Sequence, residues 1–306
     1  MNCYCGIDIG GTGVKLTLLE ESKKMLASDE FSTDSIHGIS AFLDALTGSL
    51  EKMKAAVPGA KVLAAGIGCT GPLNIETGIV ENPFTLPELE GVCLTDPVRD
   101  ALKLPVFLEN DANTAHLGEA AALGPDDPGN TALITLGTGV GCSVRMGYQL
   151  FSVPGGVHPE MGHTSCGVES DIRCYCGKTN RMENILSGTA VNRDALRFFG
   201  CTPEAVFENP DSPEKKRFCE DIITGLFNSA TTLSGIFNSQ VIILAGGMTD
   251  FYRKYALDEL RKRLPLLEPG ISVVPHVITA KLGKNSGRIG AAVLAMEKME
   301  KSKGLK

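Results

Sequence analysis

Tyr4-Cys5-Gly6-Ile7-Asp8-Ile9-Gly10-Gly11-Thr12-Gly13-Val14-Lys15-Leu16-Thr17-Leu18-Leu19 sets two runs of apolar β-formers on either side of a glycine-rich turn. Tyr4 to Ile9 reads as a strand, Gly10 to Gly13 as a tight turn and Val14 to Leu19 as a second strand, which together make a hairpin. The pattern returns at Thr131 to Leu136, is broken by Gly137, Thr138, Gly139, Val140 and Gly141, and resumes from Cys142 to Val144. Backbone N–H groups that carry no side chains can approach phosphate oxygens closely, and a Thr hydroxyl adds a donor. Asp8, acceptor-only at neutral pH, sits where it could hold a hydrated Mg²⁺. Either turn alone reads as a plain hairpin; two of them at corresponding strand ends favour a nucleotide site.

Outward from these hairpins, strands and helices mix throughout. From Ile39 the apolar residues Phe42, Leu43, Leu46, Leu50, Met53 and Val57 fall at helical spacing until Pro58 and Gly59 stop the run. Val62 to Ile67 is a strand, Thr95 or Asp96 caps a helix running to about Leu102, and Val106 to Leu108 is a short strand. An Ala-rich helix follows Asp111, and a polar loop from Gly124 to Asn130 with two prolines marks a plausible boundary. The stretch 214–237 reads as a long amphipathic helix leading into a buried strand, Val241 to Ala245, which Gly246 and Gly247 end. A last helix from Ser286 to about Lys301 starts with small residues that allow close packing.

The 306 residues suffice for two domains or one large α/β unit, and 43% hydrophobic against 21% charged residues excludes a largely disordered chain. The net charge of −7 and the lack of a basic block argue against a nucleic-acid partner. With no run of 18 apolar residues and no signal-peptide pattern, a cytoplasmic setting without membrane partners is expected. In such a reducing compartment the ten cysteines read as core thiols or metal ligands.

Two motifs fail on context. Gly66, Gly68 and Gly71 match G-x-G-x-x-G after a strand, but no helix follows; Gly177, Lys178 and Thr179 resemble the end of a P-loop, but Ile172 stands where its first glycine belongs. The cluster Glu109-Asn110-Asp111-Ala112-Asn113 lies between a strand and a helix. A carboxylate fixed there can accept a hydroxyl proton while Asn110 orients the substrate, or Asp111 can simply cap the helix.

Taken in order, these pieces resemble the ROK family of sugar kinases and sugar-responsive repressors. They run from Asp8 to Thr12, through Asn110 to Asn113, Leu136 to Gly141, Glu160-Met161-Gly162-His163, Cys174-Tyr175-Cys176-Gly177 and Glu183 to Gly188, to Ala245-Gly246-Gly247. The resemblance implies an α/β, two-lobed actin-like ATPase (ribonuclease H-like) fold with mixed sheets flanked by helices. It implies a smaller N-terminal lobe, 1–112, completed by the C-terminal helix at about 287–303, and a larger lobe, 113–286. It further implies ATP and Mg²⁺ as cofactors, Asp111 as catalytic base, and sugar contacts from Asn110, Glu160, His163 and Glu183. Gly10, Gly11, Thr12, Gly137, Thr138 and Gly139 would bind phosphates, Gly246 and Gly247 would support the adenosine, and the protein would be a homodimer whose two domains close over the sugar.

Two departures stand out. The family's zinc knuckle has a His followed by C-x-C-G-x-x-G-C; this chain has His163, Cys174, Cys176 and Gly177, but Asn180 and Arg181 replace the second Gly and the third Cys. Cys166 is the expected replacement that would restore a Cys₃His set for Zn²⁺; otherwise the loop is metal-free, with Arg181 as a local cation. His158-Pro159 ahead of Glu160 resembles the family's fructokinases, whereas the Asp8 to Thr12 turn resembles its glucose and amino-sugar kinases. The expected activity is therefore ATP-dependent phosphorylation of a hexose or N-acetylhexosamine at its 6-hydroxyl, with fructokinase or mannokinase specificity as the alternative. A sugar-sensing repressor without catalysis is a rival that the early position of the first turn disfavours. An actin-like or chaperone-type ATPase, a further rival, would not need Glu160, His163 and Glu183.

Overall fold

A computed structural model describes residues 1–152, 159–266, 273–302 and 304. The chain starts with β1 (Asn2–Ile9), β2 (Gly13–Glu20) and β3 (Met25–Ser32), then helix α1 (Gly38–Ala56) and β4 (Lys61–Cys69). A small ribbon, β5 (Leu73–Asn74) and β6 (Ile79–Val80), precedes α2 (Thr95–Leu102), β7 (Val106–Asn110) and α3 (Asp111–Leu123). The second half repeats the opening with β8 (Thr131–Leu136), β9 (Val140–Met146) and β10 (Gln149–Leu150). It continues with α4 (Glu183–Leu186), α5 (Gly188–Phe199), α6 (Pro203–Glu208), α7 (Pro213–Phe237), β11 (Val241–Ala245), α8 (Thr249–Tyr255), α9 (Leu257–Arg263) and β12 (His276–Thr279). Helix α10 (Ser286–Ser302) ends the fold.

Two five-stranded sheets carry the architecture, in the orders β3-β2-β1-β4-β7 and β10-β9-β8-β11-β12. In each, the first three strands form antiparallel pairs and the next two run parallel to the first. The two halves thus share one topology, and the glycine turns Gly10–Gly13 and Gly137–Gly139 occupy the same hairpin in each. The long helix α7 starts where Ser212 accepts from the Lys215 N–H at 3.2 Å and Pro213 takes the first helical position. Its Ile222, Leu226, Ala230 and Leu233 face the core of the second sheet. Helix α2 starts with Leu94 as its cap residue and no side-chain cap, so Thr95 and Asp96 fall inside its first turn, where Asp96 pairs with Arg99 at 2.8 Å.

The chain divides into two compact units, Met1–Pro125 with residues from Lys284 onward, and Asp126–Phe151 with Pro159–Gly283. The boundary expected at residue 112 therefore lies at 125/126, inside the polar loop, and the units are nearly equal in size. The reason is helix α3, which packs on α10 rather than on the second sheet. At Gly118 a methyl would overlap the Ser286 carbonyl, at Gly290 it would overlap the Thr114 carbonyl, and the Ser286 hydroxyl donates to the buried Glu119 carboxylate at 2.5 Å. The same helix lies on the sheet through Gly6 and Gly66, where a Cβ would run into the Arg288 and Ala291 carbonyls. The misleading G-x-G pattern at Gly66 and Gly68 is thus a packing device, with Gly68 making room for the Thr114 side chain.

Gly290→Ala should lower stability by about 1–3 kcal/mol or more, since the added methyl meets backbone that cannot swing aside. Gly48→Ala, in α1 with nothing within 4 Å of the new Cβ, should be neutral or stabilising by up to about 1 kcal/mol. Urea unfolding of the two variants checks the contrast, and equal effects would contradict the packing argument.

Candidate active site

Register alone brings the acidic residues of the N-terminal unit to one sheet edge. Asp8 pairs with Gly68 and Gly68 with Glu109 across parallel neighbours, while Cys69 pairs with Asn110. These are the carboxyl ends of parallel strands, where open α/β sheets take their ligands. Lys15 stands opposite Asp8 in the hairpin, with its ammonium 4.0 Å from the carboxylate. Burial pushes the Asp8 carboxyl up to about 6, opposed by Lys15, reinforced by the negative charge of Asp111 and opposed by Arg288. Gly287 at the start of α10 makes room for that carboxylate, whose oxygens would lie 2.7 Å from a Cβ there. Two mutually repelling carboxylates beside one lysine are a donor set that suits a hydrated divalent cation.

Asn110 ends β7 and caps α3, its side-chain oxygen accepting from the Ala112 N–H at 2.8 Å. Asp111 is the first helical residue and accepts from the same N–H at 2.8 Å. The cap is therefore chiefly Asn110, and the Asp111 carboxylate sits in the first turn of the helix. Glu109 is buried and serves the backbone: its carboxylate accepts from the Asn110 N–H and from the Asn113 amide, both at 2.9 Å. The turn itself is closed by Gly10 N–H donating to the Gly13 carbonyl at 3.0 Å, and Thr33 donates to the Gly11 carbonyl at 2.8 Å. Gly11 and Thr12 are exposed.

In the second unit the other glycine turn and the Gly246–Gly247 step lie side by side. They follow β8 and β11, which are parallel neighbours. Gly246 has φ +96° and a methyl on it would clash with Leu136, so only glycine fits. The Gly137 carbonyl accepts from Gly188 at 2.6 Å, tying the turn to the start of α5. Glu183 begins α4 and accepts from the Val140 N–H at 2.7 Å. Its carboxylate also fills the space over Gly139 and Gly162, where an added Cβ would meet it at 2.8 and 3.0 Å. Burial holds the Glu183 carboxyl above its ordinary value, the Val140 N–H and His163 oppose this, and Glu160 adds to it. Glu160 lies three residues before His163, their side chains 3.9 Å apart. The structure thus gathers Glu160, His163, Glu183 and the second turn; His158 lies outside the described residues.

His163, Cys174 and Cys176 also converge, with their ligand atoms within 4.8 Å of one another and the Cys174 thiol 3.4 Å from His163 Nδ1. Cys166 is not among them. Its buried thiol faces α7, 3.3 Å from where a Cβ on Gly225 would sit, and its carbonyl accepts from Asn228 at 2.7 Å. Three residues of separation from His163 proved too little to bring it round, because the chain there is committed to the apolar core. Cys5 and Cys142 are core thiols whose burial pushes them up to about 12.

The ROK family model matches residues 4–298. The chain belongs to the ROK family. It is 30% identical to the glucokinase of Streptomyces coelicolor over 97% of this chain and 98% of that one. It is 27% identical to an N-acetyl-D-glucosamine kinase of Aliivibrio salmonicida over 95% of this chain and 99% of that one. The crystal structure of a ROK family glucokinase from Streptomyces griseus in complex with glucose and AMPPNP matches with a TM-score of 0.71 at 26% identity, covering 96% of this chain and 99% of that one. The fold is the α/β actin-like ATPase architecture of ROK sugar kinases.

Beyond the motifs of ROK proteins, two residues that sequence reading passed over support the site. Asn82 is buried and donates to the Gly71 carbonyl and the Thr85 hydroxyl, both at 2.7 Å, while its oxygen accepts from Phe84 and Thr85 N–H. An Asn before Pro83 is the turn signal that could have found it. Gly287 is the other, and only its contact with Asp8 reveals it.

The raised Asp8 pKa has a stability consequence. Below about pH 4 its carboxyl is protonated both folded and unfolded; as pH rises through about 6 the native state must hold a buried charge and loses up to about 3 kcal/mol. Without Mg²⁺, Asp8→Asn should therefore melt above the parent at about pH 7–8, with the gap closing towards about pH 4. Thermal scans across that range check this, and a gap independent of pH would refute it.

Proposed function

We propose that the protein transfers the γ-phosphoryl group of ATP to the 6-hydroxyl of a hexose or N-acetylhexosamine, with Asp111 as general base. That it is a sugar phosphotransferase follows from ROK family membership and the full-length likeness to glucokinases. The observation that carries the finer reading is the placement of Asp111: first residue of α3, directly after the buried cap Asn110, in the unit that also holds Asp8.

A carboxylate held there accepts the hydroxyl proton as the oxygen attacks phosphorus and aims that oxygen in line with the leaving group. Asn110, Glu160, His163 and Glu183 hold the sugar hydroxyls, Glu183 being anchored by the Val140 N–H that follows the second turn. The turns at Gly10, Gly11, Thr12 and at Gly137, Thr138, Gly139 present backbone N–H groups to the phosphates. Gly246 and Gly247, exposed beside the second turn, support the adenosine. Magnesium, bound with ATP, supplies positive charge to the phosphates, and Asp8 would hold it through its hydration shell. The same reading carries the homodimer and the cytoplasmic setting. Among the described residues no helix is long and apolar enough to cross a membrane.

The sugar is found by ADP release against glucose, mannose, fructose, allose, N-acetylglucosamine and N-acetylmannosamine. We expect turnover with glucose or an N-acetylhexosamine; sugar binding without ADP from any member of the panel would mark a sensor rather than a kinase. General-base assistance is worth on the order of 10² to 10⁴ in rate, so Asp111→Asn should lose that much kcat while sugar affinity in calorimetry stays within a few-fold of the parent. Retained turnover would remove Asp111 from the role of base.

A further inference from the structure

The family's metal site and this chain's donor set disagree, and the disagreement is local. A closed structural zinc site takes four protein ligands. Among the described residues the knuckle assembles three, His163, Cys174 and Cys176, while Cys166 is turned into the core under α7. At the position of the family's third cysteine stands Arg181, a cation that offers no ligand atom to a metal ion. Its Nε is buried and has no hydrogen-bond partner among the described residues.

The loop is closed without metal. Cys174 N–H donates to the Lys178 carbonyl and Gly177 N–H to the Cys174 carbonyl, both at 2.8 Å. Asn180, at the position of the family's second glycine, keeps the left-handed backbone with φ 57°, which Asn tolerates better than most residues. Its side chain accepts from the Ser170 N–H at 2.6 Å, Arg173 donates to the Gly177 carbonyl at 3.0 Å, and the Asn184 amide donates to the Ile172 carbonyl at 2.8 Å. The two departures from the family pattern therefore belong together: one replaces a ligand by a cation, the other adds a side-chain tie across the loop.

We propose that the knuckle of this protein works without zinc, its loop held by the hydrogen bonds of Asn180, Arg173 and Asn184, and the Cys174 thiol and Tyr175 ring orienting His163. The contacts that do so are the 3.4 Å approach of Cys174 to Nδ1 and the edge-on packing of Tyr175, with ring centroids 4.5 Å apart. The proposal concerns the knuckle and holds whichever sugar is phosphorylated.

The test is elemental analysis of the full-length protein expressed in zinc-supplemented medium. The parent should carry fewer than about 0.1 zinc per chain, and Arg181→Cys, which completes a Cys₃His set, about one. On the parent alone, EDTA should leave both the melting temperature and the sugar KM unchanged within error. That measurement decides the matter even if the Arg181→Cys chain does not fold. One zinc per parent chain, or a fall in melting temperature on EDTA treatment, would overturn the proposal.

Discussion

Helix α10 sits so close to β1, β4 and α3 that four glycines, Gly6, Gly66, Gly118 and Gly290, leave no room for a methyl between backbones. Close approach of this kind maximises dispersion contacts, which are individually about 0.1–0.2 kcal/mol and count only in bulk. It also shapes the candidate site, because two of the three elements it clamps, β1 and α3, carry candidate carboxylates at their ends. β1 ends just after Asp8, α3 begins at Asp111, and Gly287, the second residue of α10, lies against the Asp8 carboxylate. Any shift of α10 by a fraction of an ångström would be felt by both carboxylates, so the packing of a C-terminal helix governs chemistry located near the start of the chain.

The second unit reaches a comparable result by another route. There a carboxylate, Glu183, links the pieces. It takes the Val140 N–H, lies over Gly139 and Gly162, and so couples the second turn, the Glu160 to His163 stretch and the start of α4. Its raised pKa is the cost of that burial, and His163 partly offsets it. A group that both takes the Val140 N–H and lies over Gly139 and Gly162 is constrained in length: an aspartate, one methylene shorter, would have to give up one of these contacts.

Legibility in the sequence followed physical type. Segments with strong periodicity and clear punctuation, such as Thr131 to Leu136, Val241 to Ala245 and the helix near 214–237, were readable to within a residue or two. Strand β3 was not, because its Ser28, Asp29 and Glu30 dilute the apolar signal at a sheet edge, and the short helices α8 and α9 were hidden in charge-rich sequence. The domain boundary was misplaced for a related reason. Helix α3 is buried nearly all round, so it shows no apolar stripe to say which neighbour it serves; only its glycine contacts with α10 assign it to the N-terminal unit. In the site, the turns and the Glu109 to Asn113 cluster were visible because chemistry needs those residue types together. Asn82 and Gly287 act through contacts remote in sequence, and no local pattern announces a glycine whose purpose is to leave space for a carboxylate 279 positions earlier.

That space explains why Asp8 is worth its burial. In the absence of a cation the native state holds a carboxylate that would be more stable protonated, with Lys15 too far, at 4.0 Å, to neutralise it fully. A lysine brought closer would relieve the penalty and would also fill the space beside the carboxylate. The longer separation leaves the carboxylate under-compensated, so the charge that costs stability is the same charge that, in the proposed function, would attract the divalent ion accompanying a nucleotide. In the proposed function, binding of such an ion would return what folding gave up, because anything that binds the native state alone stabilises it.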